Sequence, residues 1–168
     1  MQNKLPARKH PRLKEYDYSS NGVYFITLCV KDKRELLGTI VGRDHPGAPY
    51  VQLSGYGLIA NRNIELIESY YDGVAIDNYV IMTNHVHIII SINRNDVGAS
   101  RSPRPTNAVI PNIISAFKKF TSKEIGLNIW QTSYHDHIIR NEADYRRIWQ
   151  YIEENPVRWR EDCYYVND

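Results

Sequence analysis

Two cysteines in 168 residues are too few for a disulfide framework. Cys29 lies in the apolar run Val23-Tyr-Phe-Ile-Thr-Leu-Cys-Val30 and Cys163 in a polar stretch, so no structural bridge is expected and a reducing compartment is the default. No apolar stretch is long enough to span a bilayer, and the N-terminus lacks the layout of a signal peptide. A cytoplasmic, soluble protein without a membrane role is the expectation. No internal repeat and no dividing linker breaks the chain, and 42% hydrophobic residues suffice for one core. Residues 1–168 are therefore expected to form one domain, with a basic arm over 1–20, a flexible loop over 93–106 and a short tail over 158–168.

Net charge is also small, +2 at pH 7, but its distribution is uneven. Lys4, Arg8, Lys9, Arg12 and Lys14 precede the first acid, Glu15, and a second basic group comprises Arg94, Arg101, Arg104, Lys118, Lys119 and Lys123. Such clusters suit phosphate contact, although a merely solvated arm has the same composition. Thirteen tyrosines add aromatic faces on which the bases of a single strand can stack.

The apolar pattern predicts a strand over 23–30, then a helix beginning near Ser54 with Ile59, Leu66, Ile67 and Tyr70 on one face and a stop at Asp72-Gly73. Two apolar runs, 74–82 and 85–92, are separated only by Thr83-Asn84, which is hairpin spacing. Val109, Ile113, Ala116, Phe117 and Phe120 then recur at helical spacing, flanked by Lys118, Lys119 and Lys123. A fourth strand is expected around 134–140. Asn141 caps a last helix whose acids Glu142 and Asp144 lie at its positive end, and Pro156 stops it. The order strand-helix-strand-strand-helix-strand-helix predicts an α+β fold: a ferredoxin-like βαββαβ antiparallel sheet with an additional C-terminal helix.

Within the run Tyr79-Val-Ile-Met-Thr-Asn-His-Val-His-Ile-Ile-Ile90, His85 and His87 are two apart and project to the same face of a strand. That is half of a metal site; two core histidines satisfied by hydrogen bonds have the same pattern. Tyr151 and Asn155, four apart, share a helix face. A phenol has a pKa of about 10, so a nucleophilic tyrosine needs a cation or base beside it. Tyr145, Tyr164 and Tyr165 compete for that role, but Tyr145 points to another helix face and the tail pair follows a segment with no evident anchoring. His135-Asp136-His137 repeats the spacing of two and is a rival metal source, with polar flanks.

Met82-Thr-Asn-His-Val-His87, Trp130-Gln131, Asp136-His137-Ile-Ile-Arg140 and Tyr151-Ile-Glu-Glu-Asn-Pro-Val157, in this order and spacing, resemble the single-tyrosine transposases of the HUH endonuclease superfamily. The resemblance runs from about Tyr24 to Val157 and is strongest to the REP-associated tyrosine transposases, where Asn stands at the position of Asn155. It implies that His85, His87 and Asn155 hold a divalent metal, Mg²⁺ or Mn²⁺, and that Tyr151 attacks single-stranded DNA carrying hairpins or palindromic repeats. The product is a 5′-phosphotyrosine, and no nucleotide cofactor is required. It also places Asp136, His137 and Arg140 in a structural or DNA-facing strand and implies a monomer or homodimer, while the basic clusters themselves make Arg8, Lys9, Arg12, Lys118, Lys119 and Lys123 candidate DNA contacts. The family continues past Asn-Pro into a small, Gly-containing segment and a longer tail. Here Arg158-Trp-Arg-Glu161 follows, which leaves tail-dependent DNA recognition without support. Two other readings of the same residues are a ferredoxin-like single-strand-binding module without turnover and a His-x-His metal hydrolase acting through bound water.

Overall fold

The computed structural model describes residues 21–42, 47–93 and 109–166. Strands β1 (Gly22–Cys29), β4 (Val74–Ile81), β5 (His85–Ile92) and β6 (His135–Ile139) form one antiparallel sheet in the order β4-β5-β1-β6. The first and third strands of the ferredoxin-like order are thus central, as the pattern predicted. A central strand is buried on both faces, which is why β1 and β5 read as nearly unbroken apolar runs rather than as alternation.

The two faces have separate cores. Tyr24, Ile26 and Leu28 of β1 and Val86, Ile88 and Ile90 of β5 pack with helices α1 (Gly55–Glu65) and α3 (Val109–Ile125). The alternate residues face the other way, where Ile89 and Ile139 meet Ile148 and Ile152 of the last helix, α4 (Glu142–Glu154). His85 and His87, in phase with Ile89, lie on this α4 face. Asn141 caps α4 as expected, its side chain accepting a hydrogen bond from the Asp144 backbone N–H at 2.9 Å.

Three features depart from the sequence expectations. Residues 38–53 contain a small hairpin, β2 (Gly38–Val41) with β3 (Tyr50–Leu53), whose strands of four residues are too short to show a period. Only glycine fits at Gly38, since a Cβ there would stand 2.6 Å from the Gln52 carbonyl oxygen. Leu66 and Tyr70, expected on a buried helix face, are exposed; α1 buries Gly57, Ala60, Asn63 and Ile64 instead, and the chain turns at Leu66 into the short α2 (Ile67–Tyr70). The small residues admit the backbone of Leu37, so close approach rather than side-chain size sets that face. Phe120 is likewise exposed, and the neighbouring Thr121 takes the buried position because its hydroxyl donates to the Phe117 carbonyl and accepts from Trp130 Nε1.

Among the described residues no helix is long and apolar enough to cross a membrane. Arg8, Lys9, Arg12 and most of the 93–106 loop lie outside the described residues.

Candidate active site

The antiparallel register sets Thr27 opposite His87 and Cys29 opposite His85. Thr27 Oγ1 pairs with His87 Nδ1 at 2.8 Å, and Asn84 Oδ1 accepts from His85 Nδ1 at 2.9 Å. The Asn84 amide cannot be turned the other way, because its Nδ2 donates to the carbonyls of Lys33 and Tyr164. Both histidines are therefore held by Nδ1 and present Nε2, the arrangement in which imidazole serves as a metal ligand. The rings stand 4.4 Å apart, and both are fully buried.

Helix α4 brings the second half. Burial of Ile148 and Ile152 fixes its rotation and aims Tyr151 and Asn155 at the histidines. The Tyr151 hydroxyl lies 3.2 Å from His87 Nε2 and donates to Asp162 Oδ2 at 2.9 Å. Asn155 is 2% exposed; its Nδ2 donates to the same carboxylate oxygen at 2.9 Å, while its Oδ1 is buried without a partner. His85 Nε2 is also buried without a partner. A buried polar atom left unpaired costs about 1–3 kcal/mol, and two of them in one site mark a place built for a group that neither protein nor apolar packing supplies. Nitrogen and oxygen donors of this kind fit a divalent cation.

Asp162 is the site residue that sequence reasoning missed. One ligand atom from each of His85, His87 and Asp162 falls within 4.8 Å of the other two, and this is the one such group among the described residues. Its segment, expected to be an unanchored tail, is firmly seated. Trp159 is buried, the Tyr164 ring lies 4.5 Å from His85, and Lys33 Nζ donates to the Cys163 carbonyl at 3.1 Å. No local pattern announces this, because the partners lie across the fold.

The electrostatics follow from burial. Desolvation pulls His85 down to about 4, against the opposing pull of the Asp162 charge and the Asn155 amide. His87 is held well below the histidine range by burial and then by the adjacent His85. Both rings are neutral near pH 7 and have free lone pairs to offer. Tyr151 is pushed up by burial and then by the Asp162 charge, so its phenol is protonated at rest.

The rival groups fall elsewhere. Tyr145 donates to Asp77 Oδ2, the Tyr164 hydroxyl engages Cys29, and Tyr165 packs edge-on against Trp159. His137 pairs with Asp144 at 2.7 Å, and both His135 and His137 are exposed on β6. Lys118 has its ammonium on the carbonyls of Gln131, Thr132 and Ser133, whereas Lys119 and Lys123 are exposed on α3, across the sheet from Tyr151. Arg140 is exposed just before α4. Trp130 and Gln131 tie the segment after α3 to the end of β1, through a bridge to Val30 and a Gln131 N–H bond to the Cys29 carbonyl. A cavity of about 380 Å³ opens beside the site, with Arg147, Gln150, Tyr151, Asn155, Arg158 and Asp162 in its lining.

No protein-family model matches the chain. An uncharacterized protein of Haemophilus influenzae is 35% identical over 95% of this chain and 94% of its own length. A REP-associated tyrosine transposase of Escherichia coli is 27% identical, over 84% of this chain and 70% of its own. In the solved structures, a REP-associated tyrosine transposase bound to a REP hairpin has the same fold, with a TM-score of 0.62 at 23% identity over 88% of this chain and 73% of that one. The chain belongs to one family with the Haemophilus influenzae protein, and it is a homologue of the REP-associated tyrosine transposases.

Proposed function

We propose that this chain cleaves and rejoins single-stranded DNA beside a hairpin, with Tyr151 as nucleophile and a divalent cation held by His85, His87 and Asn155. The observation that carries the reading is the meeting of two orphaned buried acceptors, His85 Nε2 and Asn155 Oδ1, with a tyrosine hydroxyl 3.2 Å from His87 Nε2. A bound Mg²⁺ or Mn²⁺ would polarise a phosphoryl oxygen and offset charge gathering in the transition state. Tyr151 Oη forms the new bond to phosphorus while the bond to the 3′ oxygen breaks. Its proton passes to the Asp162 carboxylate that it already touches, and the departing 3′ oxygen takes up a proton to become a hydroxyl. The 5′-phosphotyrosine keeps the bond energy for rejoining, so no nucleotide is consumed. Arg147 and Arg158, in the lining of the cavity beside Tyr151, would contact the flanking phosphates by exchanging their exposed pairs with Asp144 and Glu154 for phosphate oxygens. The hairpin in the related structure supports a hairpin-bearing strand as substrate here.

A denaturing gel of the protein incubated with a hairpin oligonucleotide and Mn²⁺ tests this. A covalent adduct that maps to Tyr151 and vanishes in Tyr151→Phe is expected. An adduct on Tyr145, Tyr164 or Tyr165, or cleavage without a protein-linked 5′ end, would overturn the assignment.

A further inference from the structure

We infer that Asp162 is a positioning residue whose carboxylate fixes which end of the Asn155 amide faces His85. The two ends of an amide are chemically opposite: the oxygen has lone pairs to give to a cation, and the NH₂ group has none. Asn155 is buried, so its orientation is decided by protein neighbours alone. One neighbour, His85, presents Nε2 as an unpartnered acceptor, because its Nδ1 proton is committed to Asn84. Left to that neighbour, the amide would turn its NH₂ toward His85 Nε2, satisfy both atoms, and occupy the lone pair that a cation needs. The observed orientation is the reverse, with Oδ1 unpartnered and Nδ2 donating to Asp162 Oδ2 at 2.9 Å. A carboxylate only accepts, so turning the amide would bring two oxygens face to face. Asp162 thus holds open a site that would otherwise close on itself.

Asp162 is placed to do this because it is itself fixed. Its Oδ1 accepts the Tyr164 backbone N–H at 2.7 Å, and its Oδ2 takes both Asn155 and Tyr151 at 2.9 Å. Three donors leave the carboxylate little capacity to serve as a ligand, although it stands close enough to be one. The segment carrying it is tied down by the Asn84 amide on the Tyr164 carbonyl at 3.0 Å and by buried Trp159. The carboxylate therefore acts on the cation through Asn155.

The inference rests on the metal reading above, and calorimetry with Mn²⁺ on the full chain separates the two. Asp162→Ala should weaken Mn²⁺ binding about tenfold or more, the range seen when outer-shell partners are removed, and Asn155→Ala, which deletes a ligand, by at least as much. The double variant should lose less than the two single losses multiplied together, since the part of the Asp162 effect that runs through the Asn155 amide is already absent in Asn155→Ala. Asp162→Asn retains an oxygen able to accept from Asn155 Nδ2 but loses the charge that also acts on His85, so it should bind more weakly than the unmodified protein and more tightly than Asp162→Ala. Losses that multiply fully in the double variant would show that Asp162 does not act through Asn155 and overturn the inference, as would full affinity in Asp162→Ala. Should Asp162→Ala fail to fold, NMR of the unmodified protein decides: the Asn155 side-chain NH₂ protons should remain protected from exchange when Mg²⁺ is added. Their loss of protection on loading would refute the orientation. If the unmodified protein binds no Mn²⁺, or the His85→Ala/His87→Ala variant binds it unchanged, the metal reading fails and the inference falls with it.

Discussion

Replacing Asn84 by alanine removes one side chain that does three separate jobs, and the structure allows each to be weighed. Asn84 is 1% exposed; it accepts from His85 Nδ1 and donates to the carbonyls of Lys33 and Tyr164. The two donated bonds are part-buried, and each contributes about 1 kcal/mol net. The His85 Nδ1–H has no route to water, so its loss of an acceptor costs a further 1–3 kcal/mol or so. The sum is roughly 3–5 kcal/mol, a large part of the stability of an ordinary domain. The same change frees the His85 ring to rotate or switch tautomer, and that should lower Mn²⁺ affinity about 10- to 100-fold. Urea unfolding of the metal-free protein measures the first effect and calorimetry the second. If Asn84→Ala shifts neither by more than about 0.5 kcal/mol, the size of an ordinary surface substitution, then Asn84 does not orient the histidine and the case for a prepared site is lost.

Two further outcomes test other parts of the fold. Trp130→Phe deletes the indole N–H that donates to Thr121 Oγ1 at 2.7 Å, both residues being buried, and should cost about 1–3 kcal/mol in urea unfolding; adding Thr121→Val should recover part of that loss, and simple additivity would argue against the bond. Asp144 is held below its ordinary value of 3.8, first by its hydrogen bonds from Arg147 and His137, so its ionised form is favoured by folding. Its contribution is fully present above the unfolded carboxylate pKa and is lost as pH falls through the lowered folded one. Thermal unfolding of Asp144→Asn should show a deficit near pH 6 that disappears at strongly acid pH, whereas a deficit independent of pH would assign the effect to something other than that charge.

The parts of the site that depend on local geometry were legible in the chain's residue spacing. A spacing of two within a strand puts His85 and His87 on one face, and a spacing of four within a helix does the same for Tyr151 and Asn155. Those periods hold wherever the element sits. Element order was legible for the same reason, since each strand and helix carries its own period and its own stop. The faces of α1 and α3 were read less well, because Gly57, Ala60 and Thr121 are buried for close approach and a satisfied hydroxyl, not for hydrophobicity. The place of Asp162 in the site could be read from the folded molecule alone. Its carboxylate reaches Asn155 and Tyr151 after a 3₁₀ turn at Trp159–Glu161, and the segment beyond the turn is held by Asn84, 80 positions away from Tyr164. Such contacts have no period, and they exist because the sheet and α4 bring distant segments of chain to one point.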